Sequence, residues 1–423
     1  MPDLALLKDL DVKGKIALVR VDHNVVKKGK IIDPYRIDAS LPTLRYLLQE
    51  GARIILMSHV GRPRDKKTGE IKISDDTSIE PVVAYLREAG FNAVAMTLPD
   101  YDANGISKLK GGKEIKELKA GKYDIVYLPN TRWFTGEEGD EKEKKALGKQ
   151  LAALADVFVN DAFGSWQPHA STIEPARHLP SCAGFLMEKE ISHLNDVLKP
   201  ARPFVAVVAG SKFDTKIEPL YALLEKADFL VLGGVIYNAY LCARYGFMIK
   251  GVSEEDLEAA AEFVEFSKRY RGKIVELQYI VESDSLDSKK KGSYRTHDIK
   301  ALGKGDFLNY VLDIDPRSFL EKKTKKTFAK ANTIFVNAVM GLTPLFTEGT
   351  IALDETIHAN NRARKLFGGG DTLQELNTLL PEIYQQALIN QRYYFFTGGG
   401  TILKVISEKS PYGLEPVKVL LKP

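Results

Sequence analysis

Four apolar runs in the first half of the chain each end in a cluster of cationic or polar side chains. IALVR leads into VDHN (Ile16 to Asn24), ARIILM into SHVGR (Ala52 to Arg62), DIVYLP into NTR (Asp124 to Arg132) and DVFV into NDAFG (Asp156 to Gly164). Guanidinium forks match the oxygens of phosphates and carboxylates, so a crevice shared by Arg20, Arg36, His59, Arg62 and Arg132 would suit a small, multiply anionic molecule. In the second half the runs end instead in glycine and lysine: AGSKFDTK (Ala209 to Lys216), GGGDT (Gly368 to Thr372) and TGGGT (Thr397 to Thr401). Glycine lets backbone amides approach a phosphate closely and a following helix adds its positive end, which suits a nucleoside triphosphate. No G-x-x-x-x-G-K-[ST] string occurs, so this is not a Walker-type loop, and a tight strand-to-helix turn explains each glycine string nearly as well.

These clusters need a scaffold that gathers the ends of separate runs. Short β-rich runs alternating with amphipathic helical stretches such as EEDLEAAAEFVEFSKRY read as buried parallel strands in an α/β sheet, where ligands collect outside the strand carboxyl ends. In the second half FVAVVAGSK, ADFLVLGGV, KIVELQYI, NTIFVNAVMG, KLFGGGD and RYYFFTGGG are the candidate strands. MEKEISHLNDVLKPARP, from Met187, places Ile191, Leu194 and Leu198 on one helical face and is stopped by Pro200 and Pro203. The expected organisation is therefore an N-terminal domain over 1–186, a connecting helix over 187–203, a C-terminal domain over 204–405, and a tail over 406–423 that returns to the first domain. Charged surface loops are expected over Gly105 to Lys122 and Ser283 to Arg295, Glu137 and Glu138 read as a solvated turn, and Trp133 and Trp166 read as packing groups.

At 423 residues the chain is longer than one hydrophobic core usually organises. Its net charge of +4 is too slight, and its basic residues too dispersed, to imply nucleic acid. Cys182 and Cys242 lie far apart without metal-ligand spacing, which fits a reducing compartment and inert thiols. The absence of a signal-like N-terminus or a membrane-length apolar run leads to the expectation of a cytoplasmic protein without a membrane partner.

Taken together in order, the motifs resemble those of the phosphoglycerate kinases over almost the entire chain. RVDHN (Arg20 to Asn24) is similar to the family's R-V-D-F-N, YRIDASLPTL (Tyr35 to Leu44) to R-I-x-A-x-x-P-T, and SHVGRP (Ser58 to Pro63) to S-H-x-G-R-P. NTRWFTGEE and VNDAFG follow, then AGSKFDTKI resembles G-x-K-x-x-x-K-I, DIDP (Asp313 to Pro316) resembles D-I-G-P, and GGGDT and TGGGT resemble the two terminal glycine loops. The resemblance implies two doubly wound, Rossmann-like parallel-sheet domains facing a cleft and closing about a hinge, in a monomer. It also implies phosphoryl transfer between MgATP and 3-phosphoglycerate, giving MgADP and 1,3-bisphosphoglycerate, with Mg²⁺ as cofactor. By position, Asp22, Asn24, Arg36, His59, Arg62, Arg132 and His169 would hold 3-phosphoglycerate. Arg36, Lys212, Gly370 and Gly399 would surround the transferring group. Lys212, Lys216, Asn337, Gly369, Gly370, Asp371 and Thr372 would hold the nucleotide, with Asp371 facing the metal. Arg20 and Asp22 read equally well as a pair at the strand end, so Arg20 is not counted as a ligand.

The chain departs from the family pattern in four places. An ungapped match of GSWQPHA (Gly164 to Ala170) to G-T-A-H-R-A-H puts Pro168 where a substrate-phosphate arginine is expected, with His169 as a partial substitute; losing that charge-assisted contact would cost about 1.5 to 3 kcal/mol. W-N-G-P-x-G becomes VNAVMG (Val336 to Gly341), the ribose-binding glutamate falls near Pro344, and His23 replaces phenylalanine, adding a titratable ring beside Asp22 and Asn24. These changes leave open two other readings: a kinase for a different small carboxylate, and a non-catalytic nucleotide-binding relative.

Overall fold

The computed structural model describes residues 3–213 and 216–422. The chain divides into two compact units, Met1–Ser192 with Pro411–Pro423, and His193–Ser410.

The first unit is built on a six-stranded parallel sheet of β1 (Ile16–Val21), β2 (Arg53–Met57), β3 (Ala93–Ala95), β4 (Ile125–Tyr127), β5 (Val157–Asp161) and β6 (Ser181–Ala183), in the order β3-β4-β2-β1-β5-β6. The central strands are apolar on both faces because helices cover both, and Val19, Leu56 and Val159 are wholly buried. The chain runs from β1 to one side of the sheet and returns to its other side at β5. The carboxyl ends of β1 and β5 thus flank the point where the winding reverses. Helix α1 (Tyr35–Gln49) buries Ile37, Ser40, Leu44 and Leu47, a three-to-four-residue stripe, and this docks its first turn, with Arg36, near that point. The C-terminal residues add to this unit, since the Ala5 amide donates to the Leu420 carbonyl at 2.9 Å and Leu4 bridges Leu421.

The second unit holds a five-stranded parallel sheet of β7 (Phe204–Gly210), β8 (Phe229–Gly233), β12 (Thr333–Asn337), β13 (Arg364–Gly368) and β14 (Tyr393–Phe396), in the order β8-β7-β12-β13-β14. Here the reversal falls between β7 and β12. Between them in sequence lies a separate antiparallel sheet of β9 (Tyr279–Ser283), β10 (Tyr294–Asp298) and β11 (Tyr310–Ile314).

Several sequence expectations are corrected here. KIVELQYI is not a strand of the parallel sheet: Ile274 makes one isolated bridge to Leu230, and only from Tyr279 does the segment pair, in the antiparallel sheet. The supposed loop from Gly105 to Lys122 contains a short helix, α2 (Lys113–Lys119), which buries Ile115 and Leu118. Of the segment from Ser283 to Arg295, both ends are strand residues paired with each other's strands. The two cysteines are buried, and burial raises the pKa of each thiol. Among the described residues no helix is long and apolar enough to cross a membrane.

Candidate functional site

In the first unit, three loops at the carboxyl ends of β1, β2 and β4 are stitched together by amides. Asn130 accepts from the Val60 amide at 3.0 Å and donates to the Val60 carbonyl at 2.7 Å, and its carbonyl oxygen also caps the short 3-10 turn carrying Arg132. Asn24 accepts from the Gly61 amide at 2.9 Å, and the Arg132 guanidinium donates to the Gly61 carbonyl at 2.5 Å. Gly61 sits at φ +62°, where a side chain would be strained and would meet Thr77. Asn24, Arg132 and the SHVGR loop are thereby brought together. Arg62, next along that loop, is exposed and makes no hydrogen bond or ion pair among the described residues.

Asp22 does not pair with Arg20 as one reading had it. Both Asp22 oxygens lie 3.4 Å from the Arg36 guanidinium, while Arg20 turns inward. Burial by itself would raise the Asp22 pKa, but the charges of Arg36 and Arg20 outweigh it and hold the carboxyl at about 2. Arg20 is wholly buried and donates to Ser171 Oγ at 2.8 Å and to His59 Nδ1 at 3.1 Å. A guanidinium can only donate, so His59 Nδ1 must accept and a neutral His59 must carry its proton on Nε2. Burial, with the nearby Arg20 and Arg132 charges, keeps the His59 pKa well below its usual value despite Asp22.

Glu137 and Glu138 are not a solvated turn. Glu137 is 1% exposed and accepts from the Ser171 amide at 2.9 Å and the Ser171 hydroxyl at 2.6 Å, so its charge faces Arg20 across one serine. Glu138 is half-buried, 3.1 Å from Arg132 Nε and 3.8 Å from His169 Nε2. His169 is the residue before a one-turn helix at Ala170–Ile173 and also lies 3.1 Å from Gln167 Oε1, whereas Gln167 and Pro168 are exposed. His23 is corrected too. It is fully buried between Ser40 Oγ at 2.9 Å and the Tyr127 hydroxyl at 3.0 Å, and burial drives its pKa to about 3. It is a neutral core group rather than a titrating neighbour of the site.

In the second unit four loops meet around Asn337, the last residue of β12. Lys216 immediately precedes helix α3 (Ile217–Lys226), and its ammonium reaches the Ala209 carbonyl at 2.6 Å and Asn337 Oδ1 at 3.2 Å.

 Its Nζ thus ties the end of β7 to the end of β12. Burial lowers the Lys216 pKa to about 8, with the Asp371 carboxylate opposing the shift. Asn337 Nδ2 donates to the Gly368 carbonyl at 2.5 Å, which joins the β13 loop to the same point.

The glycines of that loop are required by space. Gly369 has φ +113°, and a Cβ there would sit 2.7 Å from Asn337 Nδ2; a Cβ on Gly399 would sit 2.6 Å from the Gly369 Cα. Two helices therefore start side by side: α4 (Gly370–Leu379) after β13 and α5 (Gly399–Glu408) after β14. Neither is capped by a side chain at its N-terminus, so the positive helix ends at Gly370 and Gly399 are not offset by a capping oxygen and suit an anion. Thr372 is buried in the first turn of α4, and Asp371 beside it is exposed. Lys212 is exposed next to the buried Phe213, and neighbouring Asp214 and Thr215 lie outside the described residues.

The structure brings Asp22, Asn24, Arg36, His59, Arg132 and His169 into one connected network, with Arg62 on its loop, and gathers Lys216, Asn337, Gly369 and Gly399 at a second centre. Sequence reading missed Asn130, Ser171 and the buried role of Glu137. The N-T-R triplet after β4 was a usable signal for Asn130; nothing local marked Ser171, which meets Arg20 only through the fold.

A cluster of cationic and polar groups on one doubly wound unit and a lysine-bearing centre at two helix starts on another fit a phosphotransferase of the two-unit α/β class. Residues 7–409 match the family model for phosphoglycerate kinase. The chain is 34% identical over 414 residues to the phosphoglycerate kinase of Dictyoglomus turgidum, covering 96% of each chain, and 35% identical over 412 residues to that of Roseiflexus castenholzii, covering 95% of each. The solved phosphoglycerate kinase of Coxiella burnetii matches 99% of this chain and 98% of its own, with TM-score 0.71 and 30% identity. That of Pyrococcus horikoshii, at 24% identity and TM-score 0.77, shares the fold. The chain belongs to the phosphoglycerate kinase family.

Proposed function

We propose that the chain moves a phosphoryl group reversibly between MgATP and the carboxylate of 3-phosphoglycerate, with the acid held on the first unit and the nucleotide on the second. The observation that carries this reading is the convergence of Lys216, Asn337 and the starts of α4 and α5 on one point, in a chain whose other unit gathers Arg36, His59 and Arg132. In the forward step a carboxylate oxygen of the acid bonds to the γ-phosphorus, the bond from that phosphorus to the β–γ bridging oxygen breaks, and its electron pair leaves with ADP. The nucleophile is already an anion, so no general base is needed; positioning and charge neutralisation supply the catalysis.

Asp22 and Asn24 would orient the acid, and His59 would donate from Nε2 to one of its oxygens. Arg62 and Arg132 would meet its phosphate and His169 would stand at its edge. Arg36 and Lys212 would offset repulsion between the two reacting anions, aided by the amides at Gly370 and Gly399. Lys216, Asn337, Gly369 and Thr372 would hold the nucleotide phosphates. No group of three or more metal-ligating side chains occurs among the described residues, so Mg²⁺ would arrive with the nucleotide. The exposed Asp371 carboxylate, a hard oxygen donor, fits as its protein ligand. Direct transfer requires the two bound substrates to meet with water excluded, hence a hinge-like closure, and one chain carries both sets of groups, so a monomer suffices.

The test is acyl phosphate formation from MgATP and 3-phosphoglycerate, trapped by a reducing coupling enzyme. A sustained rate is expected; no product with any common nucleoside triphosphate would overturn the reading. The exposed Gln167 and Pro168, together with Glu138 already engaging Arg132, favour one second reading, a kinase for a different small carboxylate. Tighter competition by an unphosphorylated acid than by 3-phosphoglycerate would support it.

A further inference from the structure

The amino ends of β12, β13 and β14 carry a feature that the transfer reaction leaves unused. A cavity of about 550 Å³ opens there, lined by Asn332, Arg362, Arg364, Asn390, Gln391 and Arg392. Asn337 and Gly368 close the same strands at their other ends, five residues from Asn332 along β12 and four from Arg364 along β13. At about 3.3 Å per residue the cavity lies on the order of 15 Å along the sheet from the nucleotide centre.

Backbone carbonyls aim its guanidinium groups, and two of the three have no carboxylate beside them. Arg362 donates to the Ala329 carbonyl at 3.1 Å, Arg392 donates to the Arg362 carbonyl at 2.8 Å, and Arg364 donates to the Gln391 carbonyl. Arg364 is engaged further, by the Asp196 carboxylate at 3.0 Å and by His193 Nδ1 at 2.9 Å; Arg362 and Arg392 have no carboxylate partner among the described residues. A further cation lies close enough to Arg392 for their charges to interact: Lys365 is 1% exposed, with its ammonium 4.7 Å over the Tyr393 ring. Like charges gathered about one concave space repel one another, and a bound anion relieves that repulsion. Side-chain amides of Asn332, Asn390 and Gln391 add neutral donors and acceptors at the rim.

We propose that this cavity is a second anion site, separate from the nucleotide centre, for a small molecule bearing two or more adjacent phosphate groups. A single phosphate engages one guanidinium fork well, whereas adjacent phosphates can span Arg362 and Arg392 together, with Arg364 held beside them by its own partners. The volume falls in the range of small-molecule sites, and the weak net charge of the chain argues against a nucleic-acid backbone as occupant.

Binding of radiolabelled inorganic pyrophosphate to the full chain tests this, in metal-free buffer with saturating ADP and 3-phosphoglycerate to fill the reaction sites. The expected result is one pyrophosphate per chain, weakened at least about tenfold by Arg362→Gln and by Arg392→Gln, with kcat unchanged. Arg392→Lys, which keeps the charge but loses the fork, should recover only part of the affinity. Binding absent under these conditions, or indifferent to both glutamine substitutions, overturns the proposal. Far-ultraviolet circular dichroism of each variant separates loss of binding from loss of fold. Failure of ADP to bind would instead count against the proposed nucleotide centre, since the arginine variants still test the cavity.

Discussion

Arg20 and His59 show how a buried charge can set the proton on a neighbour. Because Arg20 fills His59 Nδ1, the neutral imidazole carries its proton on Nε2, and burial, which lowers its pKa well below the usual value, favours that neutral donor. His23 has a similar fate for a different reason, since its two polar neighbours satisfy both ring nitrogens in the core. Its pKa of about 3 lies below the ordinary 6.5, so the unfolded chain binds the extra proton and stability falls as pH drops below 6.5. Between pH 6.5 and 5.5 this amounts to about 1.4 kcal/mol at most. Proton uptake on unfolding at pH 5.5, measured by calorimetry in two buffers, should fall by nearly one in His23→Gln. Asp22 acts in a separate window: its lowered pKa contributes stability above pH 3.8 that is lost as pH falls toward about 2. Lys216, with a pKa of about 8, bears instead on the nucleotide binding proposed for its unit. The KM for nucleotide should rise as pH passes 8, by about tenfold at pH 9, and Lys216→Arg should remove that limb.

Glycine loops and helix starts act as one element in the second unit. The starts of α4 and α5 can lie side by side only because neither Gly369 nor Gly399 has a Cβ, and Asn337 fills the remaining space. Gly399→Ala should therefore separate the two helix ends, costing about 1 to 3 kcal/mol of stability and weakening nucleotide binding together. Gly303→Ala is the matched control, because a Cβ there meets nothing closer than 3.9 Å. Denaturant titration and nucleotide binding on both variants check this; equal behaviour of the two would contradict it. Glu137 and Glu138 illustrate the converse at element scale. Their acidic, glycine-flanked string looks solvated, yet the packing of Ser171 and Arg132 beside it turns both carboxylates inward.

At the scale of the whole molecule, the C-terminal segment belongs to the unit that begins the chain. Leu414, Val417 and Leu420 are buried there, each worth about 1.5 to 3 kcal/mol. Deleting residues 411–423 should remove about 5 to 9 kcal/mol as an upper bound, comparable with the total stability of a domain. Scanning calorimetry should then show the first unit melting far earlier while the transition of the second unit stays in place. A single unchanged transition would contradict the division of the chain into units stabilised separately.

Apolar runs, their spacing and the polar strings that end them were enough to place an α/β fold and the family, because strand burial and glycine turns are local constraints written into neighbouring residues. KIVELQYI shows the limit of that reading: its apolar content suits a strand, but which sheet it joins depends on partners far along the chain. The same limit held for Arg20, His23 and Glu137. A charged or titratable side chain reads as a ligand or a solvated group from its neighbours in sequence. Whether it is instead buried, paired and fixed in one protonation state depends on residues such as Ser171, Tyr127 and Ser40, which only tertiary packing brings within hydrogen-bonding distance.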